Sequence, residues 1–419
     1  MYRKLVLDNG MRVVTERIST LKSVTVGIWV NTGSRDEQPS QAGYSHFIEH
    51  MFFKGTRSRS AAEISREIDG LGGEMNAFTT RETTTFYVKV LDQQLERAFQ
   101  LLSDLFYRSQ FDAKEVEKEK QVVLEEIRMV QDDPEDYVQE LHMMQILGHH
   151  PLGRSILGRE ETIRQLKREH ILAYIGARYD PVQIVIAIAG NFEQRSLEKL
   201  VSRYFRFART GAISAATYPV RRPPEVKGGV LVRQKKLEQV HLCLGLNGVA
   251  AGHQDRYAAY ALNSILGGSV SSRLFQEVRE KRGLAYSIYS FLSGYSDGGT
   301  ITVYAGTRAK EATRVVDVIC REIRRLRNKG VEKHELERAK NQMKGSLMLS
   351  LESSHSRMSK LAKDELIHGA RISLEEILRQ IDRVKPEHVH RVCQELFGFD
   401  RLSITGLGPI SPRALQAYR

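Results

Sequence analysis

Within Gly43-Tyr-Ser-His-Phe-Ile-Glu-His-Met-Phe-Phe-Lys-Gly55, His46, Glu49 and His50 form an H-x-x-E-H pattern. On a helix His46 and His50 are i and i+4, so both imidazoles leave one face a turn apart. Two neutral imidazoles at that spacing can grip one tetrahedral zinc ion, with room for a third protein ligand and a water. Glu49, between them, is placed to take a proton from that water. The pattern is H-E-x-x-H read backwards. A plain polar helix face is the alternative, but Tyr44, Phe47, Phe52 and Phe53 imply burial. Buried polar atoms left unpaired would cost about 1–3 kcal/mol each.

A second stretch offers what the first lacks. Asp112 and Glu115 cap a helix whose apolar stripe runs Val116, Val123, Ile127 and Val130, with Glu119 and Glu126 on the same face. Carboxylates on a core-facing stripe are seldom buried unless paired or bound to a metal. Arg or Lys partners would satisfy one of them; a ligand role for the other completes the upstream site.

The elements that must hold these residues can be read in order. A hairpin is predicted around Asp8-Asn9-Gly10, and Ser23–Asn31 alternates with period two, as a strand does. The turn Thr32–Glu37 leads into the motif helix. Ser60 and Glu63 form a capping box for a helix carrying Ile64, Ile68 and Leu71, ended by Gly72-Gly73. Met75–Val90 is rich in β-branched and aromatic residues and reads as one or two strands. A helix burying Leu95, Ala98, Phe99, Leu102 and Phe106 follows. Leu152–Gly158 is a glycine-punctuated loop, and Val182–Ala189 is an aliphatic strand covered on both faces.

Periodicity is lost at Thr210–Gly229, which marks an interdomain linker. The domains are thus 1-212, a linker at 213-228, and 229-419. The second domain repeats the plan: a strand pair near Gly229–Leu246, a helix at Ala258–Leu266, a strand at Thr300–Ala305, a helix at Glu311–Arg327 and a charged helix from Glu332. Aligning Asp112–Lys120 with Glu332–Lys340 sets Glu119 against Ala339 and Glu126 against Ser346. The repeat keeps the fold and lacks the ligands. The fold class is α+β, with two similar α/β-sandwich domains per chain.

With 419 residues and 41% hydrophobic content the chain has ample core. Its +12 net charge is spread among acids without an aromatic-interleaved basic motif, which favours solvated helix faces over nucleic acid. Cys243, Cys320 and Cys393 form neither a disulfide framework nor a Cys-x-x-Cys site, pointing to a reducing compartment. No signal core, transit segment or membrane-length apolar run is evident, so the expectation is a cytoplasmic protein with no membrane partner.

Taken together, Gly33-Ser-Arg-Asp-Glu37, Gly43–Thr56, Gly72–Tyr87, Glu117–Ile127, Pro151–Gly158 and Ser271–Ser287 resemble the pitrilysin/insulinase family of inverted zincins. Within it they are similar to the β subunit of mitochondrial processing peptidase and its bacterial relatives. The resemblance covers nearly the whole chain. It implies that Glu126 is the third zinc ligand and that Glu119 orients a zinc-binding histidine. Arg279 and Tyr286 would reach the substrate or the developing oxyanion. Asn76 and Ala77 would lie on an edge strand that takes the peptide by β-augmentation. A chain of this length supplies half of a clamshell, so a dimer with itself or with a homologous chain is implied, Arg279 and Tyr286 acting in trans. In one departure, the partner subunit of the mitochondrial enzyme carries a long glycine-rich loop where this chain has the short Leu266–Ser272.

The expectation is a zinc endopeptidase with one Zn²⁺ per chain, cleaving peptides or unfolded precursor segments bound as extended strands in a closed chamber. Its rival is a silent scaffold or core-type subunit of a peptidase or respiratory assembly. Such family members typically lack an intact H-x-x-E-H, which here is complete.

Overall fold

The computed structural model describes residues 1–205 and 220–418. Two compact units emerge. The first comprises Met1–Arg128, Ser155–Val220 and Ser350–Arg371, the second Met129–Arg154, Arg221–Leu349 and Ile372–Arg419.

The first unit is built on six strands: β1 (Tyr2–Val6), β2 (Arg12–Arg17), β3 (Ser23–Val30), β4 (Glu74–Thr79), β5 (Thr84–Leu91) and β6 (Ile184–Gly190). Their order is β1-β2-β6-β3-β5-β4. The expected hairpin pairs Tyr2 with Glu16 and Val6 with Arg12, with Gly10 supplying a φ of 90° at the turn. Met75–Val90 forms two antiparallel strands, leaving β4 as a sheet edge.

β6 is buried throughout, and its period-two alternation shows why. Ile184, Ile186 and Ile188 face the main core with Val24, Val26 and Phe47. Val185, Ala187 and Ala189 face the other way, onto Trp29, Met358, Leu361 and Ala362. The covering helix, Ser354–His368, comes from the far end of the chain. Trp29 Nε1 donates to Met358 Sδ at 3.1 Å, and the Thr25 and Ser354 hydroxyls bond at 2.9 Å.

The second unit has five strands: β7 (Gly229–Gln234), β8 (Val240–Gly248), β9 (Ala285–Gly294), β10 (Gly299–Thr307) and β11 (Ser403–Gly408), in the order β7-β11-β8-β10-β9. The expected pair near Gly229–Leu246 is therefore two strands that do not touch as partners. β11 lies between them, parallel to β7 and antiparallel to β8. The first sheet has the same arrangement: β6 is parallel to β2 and antiparallel to β3. With β1 set aside, the two sheets share one topology, as expected of a repeat.

The covering helix of the second sheet is Pro134–Leu147, from the first half of the chain. Its Val138 and Leu141 pack on Cys243, Tyr304 and Leu407, and buried His142 Nδ1 lies 3.0 Å from Thr405 Oγ1. Pro134–Leu147 and Ser354–His368 hold corresponding places in the two repeats, so the repeats exchange equivalent helices. The contiguous division 1-212, 213-228, 229-419 differs from the compact units by that exchange. Residues 213–219 of the expected linker lie outside the described residues.

The helices Arg168–Arg178, Gln194–Tyr204, Leu374–Asp382 and Pro386–Leu396 and the strands β9 and β11 are further elements, outside those expected from the sequence patterns.

Candidate metal centre

The H-x-x-E-H residues lie on the helix Tyr44–Met51, which is fixed at its start by main-chain and carboxylate contacts. Gly43 precedes it with φ 93°, and a Cβ there would stand 2.6 Å from Leu157 O. Gly158 packs equally closely on Ala42 from the other side. Buried Glu37 accepts from the amides of Gly43 at 2.8 Å and Ser45 at 2.7 Å. A carboxylate there satisfies free helix N–H groups and complements the helix dipole. Glu37 thus does more than belong to the expected turn Thr32–Glu37, and its signal in the sequence is an acid just ahead of a helix start.

The second contributor is the helix Ala113–Asp132. Asp112 Oδ1 accepts from the amide of Lys114 at 2.8 Å, which is the expected cap. The two glutamates on this helix part company. Glu119 is buried, whereas the Glu126 side chain is 38% exposed. The expectation that both aim into the core is corrected for Glu126, which sits at the mouth of the site.

Glu126 Oε2 lies 3.6 Å from His46 Nε2 and 3.7 Å from His50 Nε2. Neither distance is a hydrogen bond. Three possible ligand atoms, one from each residue, lie within 4.8 Å of one another. Zinc with bonds of about 2.0–2.2 Å would hold tetrahedral ligand atoms roughly 3.3–3.6 Å apart, so the set fits that ion.

The electrostatics suit a cation. Burial and then the neighbouring His50 push the His46 imidazole down to about 3, which keeps it neutral and able to ligate. On His50 burial opposes charge, but the hydrogen bond to Glu119 and the charge of Glu126 outweigh it and raise the ring. His50 Nδ1 is 2.8 Å from Glu119 Oε1, which turns Nε2 towards Glu126. Lys54 Nζ sits 2.5 Å from the other Glu119 oxygen. Burial opposes ionisation of Glu119, and the bonds from His50 and Lys54 overcome it and hold its carboxyl low. Lys54, one turn beyond His50, was not anticipated; its i+4 spacing was the available signal.

Glu49 occupies the same helix face region, within electrostatic reach of His50 and Glu126. Burial raises its carboxyl above the ordinary range, partly offset by the Thr79 hydroxyl, which donates to Oε2 at 2.6 Å. Thr79 ends the edge strand β4 and was also missed, because no local pattern links it to residue 49. Asn76 is exposed and Ala77 half-buried on the same strand.

In the second unit Tyr286 is 78% exposed near the start of the edge strand β9. It is therefore no core aromatic. The Arg279 guanidinium stands 4.7 Å from the Tyr286 ring and 4.8 Å from that of Phe275.

Two family models match this chain. Insulinase (Peptidase family M16) covers residues 12–160, and Peptidase M16 inactive domain covers residues 165–343. The chain belongs to the M16 family. An uncharacterized zinc protease of Bacillus subtilis, YmxG, is 42% identical over 96% of this chain and 97% of its own length. An uncharacterized zinc protease of Streptomyces coelicolor is 40% identical over 100% of this chain and 91% of its own. Among solved structures a protease from Helicobacter pylori superposes with a TM-score of 0.91 at 23% identity, over 97% of this chain and 99% of that one. That likeness bears on the fold. The Insulinase match spans all of the H-x-x-E-H helix and both glutamates, and the residues matched by the inactive-domain model contain no second such motif. No described helix is long and apolar enough to cross a membrane.

Proposed function

We propose that this M16 protein is a zinc-dependent endopeptidase that cleaves extended peptide segments. The observation that carries this reading is the convergence of His46 Nε2, His50 Nε2 and Glu126 Oε2 on one point, with a buried carboxylate, Glu49, beside it. His46, His50 and Glu126 would hold one zinc ion. A zinc ion there supplies Lewis acidity for water and for the scissile carbonyl. Glu49 takes the proton of the attacking water and passes it to the leaving amine. Its raised affinity for a proton suits a group that must carry one between two steps. Thr79 fixes the carboxylate orientation for both. Glu119 holds the His50 ring by Nδ1, and Lys54 keeps Glu119 ionised.

The edge strand β4, which carries Asn76 and Ala77, offers the main-chain groups of alternate residues to an extended peptide, which adds as a further strand. Tyr286 supplies a hydroxyl to the developing oxyanion, its ring steadied by the Arg279 guanidinium. The exposed Tyr286, stacked on the half-buried Arg279 guanidinium, supports a role towards a second chain, and we propose a dimer, with itself or a homologue, in which the pair acts in trans. Three buried free thiols support a reducing compartment, the cytoplasm.

The test uses Glu49→Gln and Glu126→Gln. The first is expected to keep zinc through dialysis and to lower peptide hydrolysis about 10²–10⁴-fold. The second is expected to lose zinc. Wild-type-like cleavage by Glu49→Gln, or full metal retention by Glu126→Gln, would overturn the assignment. The native mass of the assembly tests the dimer.

A further inference from the structure

The second unit contains a cavity of about 450 Å³ between the end of the helix Arg256–Leu266 and the helix Lys333–Ser350. In the repeat these helices correspond to the H-x-x-E-H helix and to the helix bearing Glu119 and Glu126. Ala339 lines the cavity and is aligned with Glu119. A methyl group therefore stands where the first repeat has a carboxylate, and open volume replaces a ligand cluster.

The lining is polar and organised. Ser264 Oγ donates to Gln342 Oε1 at 2.5 Å, and Gln342 Nε2 donates to Gly268 O at 3.4 Å. This ties the two helices and the short Leu266–Ser272 loop into one floor. The one carboxylate in the wall, Glu335, is already committed. Arg273 donates to both its oxygens, at 2.8 and 2.7 Å, and bonds of that kind hold its carboxyl low against burial. Arg338, one turn further along the helix, is exposed, lines the same cavity and has no ion-pair or hydrogen-bond partner among the described residues. With Glu335 neutralised by Arg273, the cavity carries the uncompensated charge of one guanidinium, flanked by the Ser269 and Ser271 hydroxyls.

We propose that this cavity binds a carboxylate of a peptide, with Arg338 as the charged anchor and the Ser271 hydroxyl and the second Gln342 amide hydrogen as neutral donors, the Ser269 hydroxyl being given to Ser264 O. A guanidinium matches a carboxylate in two parallel bonds, and a volume of this size takes one or two residues rather than a folded partner. Its lining includes no residue of the metal centre, and the site gives the enzyme a preference for acidic peptides. The identity of the ligand as a peptide rests on the peptidase reading; the cavity and its charge do not.

The carboxylate has two sources, an acidic side chain or a C-terminus, and the experiment separates them. A fluorescent octapeptide of Ala and Ser with one central Glu is titrated into the full chain carrying Glu49→Gln, and polarisation is read. Parallel titrations use Gln in place of Glu, each with a free or an amidated C-terminus. The expected result is binding about tenfold tighter for the peptide carrying the recognised carboxylate. Arg338→Gln abolishes that difference and leaves the neutral amidated peptide unaffected. Arg338→Lys restores part of it, and Ser269→Tyr, which fills the cavity, removes it. Equal affinity for all four peptides, or a charge preference that survives either Arg338→Gln or Ser269→Tyr, overturns the proposal. Its failure leaves wild-type cleavage intact, whereas failure of the peptidase reading shows as a wild-type chain that cleaves none of these peptides.

Discussion

His50 has a definite division of labour between its two nitrogens. Nδ1 is held by Glu119 at 2.8 Å, so Nε2 is the atom left for a metal, and the tautomer follows from the partner. Replacing Glu119 by Gln keeps a hydrogen-bonding group but removes the charge that favours donation from Nδ1. It also leaves Lys54, now 2.5 Å from Glu119 Oε2, facing a neutral amide. Zinc affinity of Glu119→Gln is expected to fall about 10–100-fold, measured by competition with a chromogenic chelator. An unchanged affinity would mean that the His50 ring is held by the helix alone. Glu119 thus acts as a positioning residue, and its loss should be visible in the metal content before it is visible in kcat.

The elements that carry the site are pinned by polar contacts as well as by packing. Thr56, Ser58 and Arg59, just beyond the H-x-x-E-H helix, converge on Asp104 of the helix Leu95–Arg108. Thr56 donates at 2.7 Å, Ser58 at 2.9 Å and Arg59 at 2.8 Å. Burial opposes charge on Asp104, and these donors reverse the effect, so its carboxyl lies below the usual range. A carboxyl lowered by folding contributes stability that is fully present above its unfolded pKa and lost as the pH falls through the folded value. Asp104→Asn is expected to cost about 1–3 kcal/mol at neutral pH. The gap to wild type should narrow below about pH 4, where the wild-type contribution fades. Urea denaturation at neutral and acid pH checks both points; a pH-independent gap would assign the loss to packing.

For the whole molecule the decisive feature is the exchange of equivalent helices between repeats. A fragment ending near residue 220 keeps the first sheet but lacks Ser354–His368. It would bare Val14, Trp29 and Val185, which now face Met358 and Leu361. Each large side chain returned to water costs about 1.5–3 kcal/mol, so the loss rivals the entire stability of an ordinary domain, about 5–15 kcal/mol. Residues 1–220 and 221–419 made separately are expected to be insoluble or to melt without cooperativity. Made together, they should co-purify and recover a cooperative calorimetric transition. A stable, cooperatively melting 1–220 fragment alone would contradict this.

The sequence by itself determined what is local. His46, Glu49 and His50 share one helical turn, so their common face follows from 3.6 residues per turn. The missing ligands of the second repeat were equally legible, since Ala339 stands against Glu119 in a charged helix of the same pattern. Where partners are far apart in the chain, spacing carries no such information. On the residues alone Glu119 and Glu126 were interchangeable candidates; only the crossing of two helices puts Glu126 at the imidazoles and Glu119 behind His50. Thr79 meets Glu49 across 30 residues, and Met358 meets Trp29 across 329, contacts that no periodicity announces. The insertion of β11 between β7 and β8 and the swap of Pro134–Leu147 for Ser354–His368 belong to the same class. They are chosen by which apolar face fits which sheet, a comparison that exists only once the chain is folded.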